Sequence, residues 1–169
     1  MAQVRHQLPY MNFYRFCQLL EQSLPEMPVP GSDWRVRQEP VRFRPHPGMG
    51  FPAGEIRSTE DPEHPHLPPS VRVTFMGLYG VESPLPTHYT DDIAQRREGH
   101  DATQDFLDIF SHRLITQYYR IWRKYSYPAT FQAGGADNTS QYLLGLAGLG
   151  IPGCAKTAGT PLSRFLALL

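Results

Sequence analysis

The stretch "DFLDIFSHRLITQYYRIWRKY", Asp105 to Tyr125, decides the fold because it predicts one long helix. Apolar side chains recur in it every three or four residues, which is the repeat of an α-helix. The main repeat consists of Leu107, Phe110, Leu114, Tyr118, Ile121 and Tyr125. A second set, Phe106, Ile109, Ile115, Tyr119 and Trp122, widens the apolar surface beyond one narrow face. We therefore expect a helix that is buried on more than one side.

The predicted ends of this helix follow ordinary capping chemistry. Asp101 and Gln104 in "DATQ" match a capping box, in which the two side chains bond free backbone N–H groups of the first turn. Acidic residues lie in the first turns, whereas Arg120, Arg123 and Lys124 lie in the last, and this distribution complements the helix dipole.

Two carboxylates and a histidine in this helix raise the question of a catalytic or metal site. Asp105, Asp108 and His112 follow one another at spacings of three and four, so a helix places them on one face. Zinc usually needs a further ligand from elsewhere. The carboxylates also favour the helix N-terminus, and His112 can pair with Asp108 on the solvated face. We favour these surface roles, and the alternative is a small metal-binding or acid/base enzyme domain that uses this face.

Two other motifs suggest ligand sites but lack part of the required chemistry. The segment "GIPGCAKT", residues 150–157, falls short of a phosphate loop because Ala155 stands where the pattern requires glycine. Nucleotide binding through its Lys156 and the following threonine is therefore a minor alternative. His64 and His66 lie in a polar loop without converging carboxylates, which favours a solvated loop over a metal site. We expect no cofactor.

Composition favours a protein that binds other proteins. The 169 residues suffice for one domain with a core, and 16 acidic residues balance 16 basic ones, which argues against a nucleic-acid or anionic-membrane binder. All but two of the basic residues are arginines, which suit interfaces between proteins. The two cysteines lie far apart in sequence, no signal peptide is evident, and no apolar run approaches the ~18 residues of a membrane span. We expect a cytoplasmic protein.

Prolines divide the chain into a loop-rich first part and a helical second part, since 14 of the 17 prolines precede residue 100. An N-terminal helix is predicted over "NFYRFCQLLEQSL", with Asn12 as its N-cap, Pro25 after its end and Cys17 as a buried thiol. Strands are predicted in "WRVRQEPVRFR", which Pro40 interrupts, in "MGFPAGEI" and in "SVRVTFMGL". A short helix, "DDIAQRRE", is predicted to end at Gly99.

Together these elements predict an α+β fold. It consists of an N-terminal helix, a small antiparallel strand region with proline-rich loops, a long buried helix and further short helices. We divide the chain accordingly into residues 1–30, 31–90 and 91–169. The end of the chain predicts a glycine-rich loop, a short helix and the start of another helix in "PLSRFLALL".

The proline-rich loop "YGVESPLPTHY" is a candidate partner-binding segment, because a loop that proline orders beforehand loses little entropy when it docks. Its candidate contact residues, with the leucine just before it, are Leu78, Tyr79, Pro84, Leu85, Pro86 and Tyr89. An equally good interpretation is that Leu85 packs into the core of its own domain.

Three segments in this order, "VRFRPHPGMGFPAGEI", "VTFMGLYGVESPLPTHYTDDI" and "DATQDFLDIFSHRLITQYYRIWRKY", resemble the TssG family of type VI secretion baseplate proteins, also called ImpH or VasB. The later segment "LLGLAGLGIPG" resembles the family as well, so the likeness runs over roughly residues 10 to 153. Members of this family are longer, so the resemblance implies that the chain corresponds to an N-terminal half.

The resemblance implies a scaffold and not an enzyme. TssG-like proteins join two copies of TssF in a baseplate wedge that also carries TssE and TssK trimers and surrounds the hub of a contractile tail similar to that of phages. The long helix then becomes a packing spine that also meets TssF, with candidate contacts at Phe106, Leu107, Phe110, Leu114, Tyr118, Tyr119, Trp122 and Tyr125. Two protruding loops bind TssK, and our candidates are "YGVESPLPTHY" and, more weakly, residues 45–69. Neither nucleic acid nor direct membrane insertion is implied.

Overall fold

The computed structural model describes residues 10–35, 38–62 and 67–151, together with residues 159, 161, 164 and 166. The elements in chain order are α1 (Phe13–Ser23), β1 (Arg42–Pro45), β2 (Ile56–Glu60), β3 (Ser70–Val73), α2 (Thr87–Ala94), α3 (His100–Tyr125), α4 (Tyr127–Thr130) and α5 (Asn138–Leu146). This order confirms the α+β class. The chain forms two compact units, one through Ile121 and one from Trp122. Among the described residues, no helix combines the length and the apolarity needed to cross a membrane.

The sheet has three strands in the order β1-β3-β2. β2 runs antiparallel to β3, with an irregularity between Ile56 and Ser58, but β1 runs parallel to β3. The prediction of an antiparallel region is therefore wrong for one of the two pairings. The reason is the strand order: β3 inserts between its two predecessors, and β2 is part of the connection that returns the chain in the direction of β1.

The first helix agrees with its prediction. Asn12 caps α1 by accepting a hydrogen bond from the backbone N–H of Tyr14, and the helix ends before Pro25. Phe13 is buried and packs edge-on against Phe43 of β1 at a ring distance of 5.2 Å. Cys17 is buried as expected, and burial raises the pKa of its thiol.

Several local boundaries differ from the predicted ones, and β3 contains only the first four residues of "SVRVTFMGL". β1 contains only the last part of "WRVRQEPVRFR", because the chain around Pro40 does not pair with a neighbouring strand. β2 begins only at Ile56, the last residue of "MGFPAGEI". The short helix α2 starts at Thr87 and ends at Ala94, so the proline-rich loop contributes its final residues to a helix that Pro86 precedes.

The long helix α3 has the predicted extent, but its first turn does not form a capping box. The helix already begins at His100, and Asp101 lies 3.0 Å from the imidazole of that residue. Gln104 donates to the hydroxyl of Tyr79 at 3.3 Å and does not bond back to the helix start. The wrong prediction follows from a tertiary partner, because Tyr79 is 25 residues away in sequence.

In the second unit, Asp137 caps α5 by accepting hydrogen bonds from the backbone N–H and the hydroxyl of Ser140, at 3.0 and 2.6 Å. The bond from the Ser140 hydroxyl lowers the pKa of Asp137. Several predicted features lie outside the described residues: His64 and His66, most of "GIPGCAKT" with Lys156, and most of "PLSRFLALL". The division of the chain at residues 30 and 90 stays a prediction.

Candidate interaction surface

The face of α3 that packs against the rest of the first unit is half polar. Its buried residues are Leu107, Asp108, Ser111, His112, Ile115, Thr116 and Tyr119. Of the main apolar repeat predicted to be buried, only Leu107 belongs to this set. Phe110, Leu114, Tyr118 and Ile121 are exposed, so the described residues of this chain cover one face of the helix and not several.

Asp108 lies in a buried polar network and not on the solvated face. Its carboxylate accepts a hydrogen bond from the hydroxyl of Tyr79 at 2.5 Å and pairs with Nε of Arg44 at 3.0 Å. Burial raises the pKa of Asp108, and the contacts with Tyr79 and Arg44 oppose that shift. The guanidinium of Arg44 also reaches the exposed Asp105 at 2.9 Å. Both aspartates therefore anchor β1 to α3.

His112 connects α3 to β1 and to the segment before it. Its Nδ1 accepts the backbone N–H of Phe43 at 3.1 Å, and its Nε2 lies 2.9 Å from the buried carboxylate of Glu39. Because a backbone N–H can only donate, Nδ1 is unprotonated and Nε2 donates to Glu39. The bond to Phe43 also satisfies a donor on the outer edge of the sheet.

The predicted Asp108–His112 surface pair is therefore wrong. The two side chains lie on the same helix face but bind partners from different segments: Asp108 binds Tyr79 and Arg44, and His112 binds Glu39 and Phe43. Within the described ranges, no group of three His, Cys, Asp or Glu residues could hold a metal ion. The polar atoms that the enzyme alternative requires are engaged in structural contacts.

The opposite side of the helix carries a row of large apolar residues, which we name the outer stripe: Phe106, Phe110, Leu114, Tyr118 and Ile121. The exposed fraction is 59% for Phe106 and 58% for Ile121, and the stripe contains no charged residue. The rings of Phe106 and Phe110 contact each other edge-on at 5.2 Å. Tyr118 borders α1 through a ring contact with Tyr14 at 5.7 Å. Of the remaining spine candidates, Tyr119 is buried, Trp122 is partly buried and Tyr125 is exposed.

The proline-rich loop turns part of its apolar surface inward. Tyr79 is buried in a cluster with Ile93 and Leu107, and Leu78 and Leu85 pack against that cluster. The prediction that Tyr79 contacts a partner is therefore wrong. Its side chain is buried, and its hydroxyl donates a hydrogen bond to Asp108. Pro84, Pro86 and Tyr89 remain exposed. The interpretation in which Leu85 packs into its own domain is the one that the structure shows.

Comparison with known proteins gives the family. The model of the family described as "Type VI secretion, TssG" matches residues 7–169. The chain belongs to the type VI secretion TssG family. The resemblance carried by the three segments of sequence is thus confirmed.

One solved structure is similar to part of this TssG-family chain. It is a cryo-electron microscopy structure of the type VI secretion system TssK-TssF-TssG baseplate subcomplex. One of its chains is 85% identical over a match that covers 37% of this chain and 26% of that chain, with a TM-score of 0.30. No curated protein matches the chain.

Sequence reasoning gave the loop of this TssG-family chain within residues 45–69 only as a range and did not single out its exposed apolar residues. Phe51 is 98% exposed and Met49 is 58% exposed, and both lie in the loop between β1 and β2. The exposure of Met49 and Phe51 could have been predicted from "GMGFP". In this segment apolar residues alternate with glycine and precede proline, and that composition does not suit a buried strand.

Proposed function

We propose that this chain is a structural subunit of a type VI secretion baseplate wedge and not an enzyme. Membership of the TssG family over residues 7–169 is the observation that carries the proposal. The contacts of Asp108 and His112 support it as well, because both candidate catalytic side chains stabilise the fold.

The partners in this proposal are two copies of TssF, TssK trimers and TssE. The assembled wedge surrounds the hub. The chain would act in the cytoplasm, at the secretion apparatus that is anchored in the inner membrane. It would need no cofactor, because its role is to hold proteins in fixed geometry. The solved subcomplex that contains an 85% identical segment includes TssK and TssF, which supports these two partners.

The outer stripe is the surface that we assign to TssF. Large apolar side chains in a contiguous row are costly to leave in water, and such rows mark interfaces between proteins. The absence of charge within the row favours an apolar helix face as its counterpart. TssF supplies that counterpart in this proposal, and the buried face of α3 supplies the rigid support behind it.

Co-expression with the TssF homologue of the same gene cluster tests the proposal. The complex would be isolated by size-exclusion chromatography, and light scattering would give its mass. We expect two TssF chains for each copy of this chain. Isolation of this chain as a well-folded monomer, with TssF eluting separately, would contradict a scaffold role for these residues.

The metal-binding or acid/base alternative has less support, because no observation favours it. Its test is metal analysis of the purified chain and of the Asp108→Asn variant. A bound metal ion that the variant loses would favour that alternative over the scaffold.

A further inference from the structure

A tryptophan is exposed in the segment that precedes β1. The side chain of Trp34 is 76% exposed, although tryptophan is largely buried in most folded proteins. The guanidinium carbon of Arg35 lies 5.2 Å from the centre of the Trp34 ring, which is within cation–π distance. Arg35 is exposed as well, and no carboxylate of the described residues lies within ion-pair distance of its guanidinium. The two residues thus combine an apolar ring with a cation that lacks a carboxylate partner in the described part of the chain.

The backbone just before this tryptophan is held against α3 by its hydrogen bonds. Gly31 donates its N–H to the buried Glu39 at 3.2 Å, and its carbonyl oxygen accepts from Arg120 at 3.0 Å. The carbonyl oxygen of Asp33 accepts from Arg113, also at 3.0 Å. Because these bonds are present in the chain alone, residues 31–35 are ordered before a partner binds, and docking would cost little backbone entropy.

Local chemistry constrains the same residues. Gly31 has a φ of +77°, and a Cβ atom there would lie 2.8 Å from Cβ of Thr116. The carboxylate of Asp33 accepts the backbone N–H of Arg35 at 3.1 Å and so closes a turn around Trp34. Since Thr116 is buried, residues 31–35 pack on a different side of α3 from the exposed outer stripe and form a separate surface.

The charges of this surface favour an acidic partner. Arg113 and Arg120, which hold residues 31–35 in place, reach the surface beside Arg35, whereas Asp33 is the one carboxylate of these five residues. The nearby Glu39 is buried and does not offset the exposed cations. A guanidinium stacked on an aromatic ring keeps its N–H edges free, and those edges match a carboxylate in a bidentate contact.

We propose that Trp34 and Arg35 form a docking site for an acidic segment of another baseplate protein. An apolar side chain of that segment would cover the indole, and a carboxylate would pair with the guanidinium. The site goes beyond the proposed function, which assigns no partner to residues 31–35, but the choice of a baseplate protein as the partner rests on that function. Tryptophan and arginine carry much of the binding energy at interfaces, and a charged contact fixes the orientation of the docked segment.

Binding measurements with purified homologues from the same gene cluster test the site. Biolayer interferometry would give the dissociation constants of the full chain for TssF, and of its complex with TssF for TssK and for TssE. We expect Trp34→Ser and Arg35→Glu to weaken the binding of one and the same partner roughly tenfold or more. The matched controls are Tyr142→Ser, which removes an aromatic residue that is 72% exposed, and Arg15→Glu, which reverses an exposed charge on α1. Each control should change the same affinity less than about twofold.

Two further measurements separate docking from folding. Arg35→Lys keeps the charge but loses the planar fork, so it should weaken binding less than Arg35→Glu does. The midpoint of urea unfolding should stay unchanged in the Trp34 and Arg35 variants, because both side chains are exposed. A lowered midpoint that accounts for the lost binding would contradict a docking role.

The outcomes also separate this site from the function on which its partner rests. Full affinity for all three homologues in Trp34→Ser and Arg35→Glu would overturn the docking site. Weaker binding in Trp34→Ser alone would overturn the carboxylate contact. In either case TssF binding through the outer stripe would remain as support for the scaffold. If the unmodified chain bound none of the three homologues, the proposed function itself would fail.

Discussion

His112 donates through Nε2 to Glu39, and the two atoms lie 2.9 Å apart although the residues are 73 positions apart in sequence. Both side chains are buried. Glu39 also accepts the backbone N–H of Gly31 at 3.2 Å. The pair therefore connects the long helix to the segment before β1, at a place where a lost partner would leave a buried carboxylate poorly satisfied.

Replacement of His112 should test this connection. We expect His112→Phe to lower the free energy of unfolding by roughly 3 kcal/mol, because both the Glu39 carboxylate and the Phe43 N–H lose a partner. His112→Gln is the control, since its amide offers both N–H donors for Glu39 and a carbonyl acceptor for the Phe43 N–H. It should cost about half as much or less. Urea unfolding gives both values, and equal losses in the two variants would show that the hydrogen bonds contribute little.

Alkaline pH should destabilise the chain through Tyr79. Burial, followed by the neighbouring Asp108 carboxylate, raises the pKa of the Tyr79 phenol above its ordinary value near 10. The folded state therefore keeps a proton that the unfolded state loses, so stability is fully present below about pH 10 and falls above it. The same sign holds for Cys17, whose thiol pKa is also raised by burial.

Urea unfolding from pH 8 to 11 measures this loss. The Tyr79→Phe variant should start less stable by about 1 to 2 kcal/mol, because the bond to Asp108 is gone, but its stability should fall less steeply above pH 10. Cys17→Ala serves as a comparison whose slope should change at a lower pH than that of Tyr79→Phe. An identical slope in Tyr79→Phe and the unmodified chain would contradict a buried, neutral phenol.

Local signals in the sequence were sufficient to place the two longest helices, α1 and α3. Asn12 and Pro25 bound α1 as capping chemistry requires, and the repeat of apolar residues gives the length of α3. These features depend on neighbours within four residues. The loop at Phe51 is also encoded locally, because its glycine and proline neighbours disfavour a regular element, whereas the exposure of its side chain is visible only in the structure.

The buried face of α3 could not be predicted from the helix itself. The apolar repeat favoured Leu114 and its neighbours as the core face, whereas the structure buries Asp108 and His112. Their burial becomes favourable only through Tyr79 and Glu39, which are 29 and 73 positions away from their respective partners. The local periodicity of a sequence does not report contacts between residues that are this far apart in the chain. For the same reason the parallel pairing of β1 with β3 was not predicted.

A substitution in the outer stripe should weaken assembly with TssF but leave the folding of the chain almost unchanged. We expect Leu114→Asp to weaken the complex with TssF at least tenfold, because it places a charge in an apolar interface. The free energy of unfolding of the isolated chain should change by no more than about 1 kcal/mol, since Leu114 is exposed. Ile109→Asp is the control, because Ile109 is an aliphatic residue of the same helix that is even more exposed, 66% against 44% for Leu114, but lies outside the stripe. Equal weakening by both variants would argue against the stripe as the contact surface.

A cavity of about 110 Å³ that both Arg57 and His46 line predicts a coupling between these two side chains. Burial, and then the positive charges of Arg57 and Arg72, lowers the pKa of the His46 imidazole. The unfolded state therefore binds a proton at higher pH than the folded state, so this contribution to stability is complete above the ordinary histidine pKa of about 6.5 and is lost as the pH falls below it.

The Arg57→Gln variant removes one of the two charges. We expect the pKa of His46, followed by NMR titration of its ring protons, to rise toward the ordinary value but not to reach it, because burial and Arg72 remain. The loss of stability between pH 7 and pH 5 should become smaller in the same variant. Arg15→Glu on α1 should leave the His46 titration unchanged. An unaltered His46 pKa in Arg57→Gln would show that the guanidinium does not act on the imidazole across this cavity.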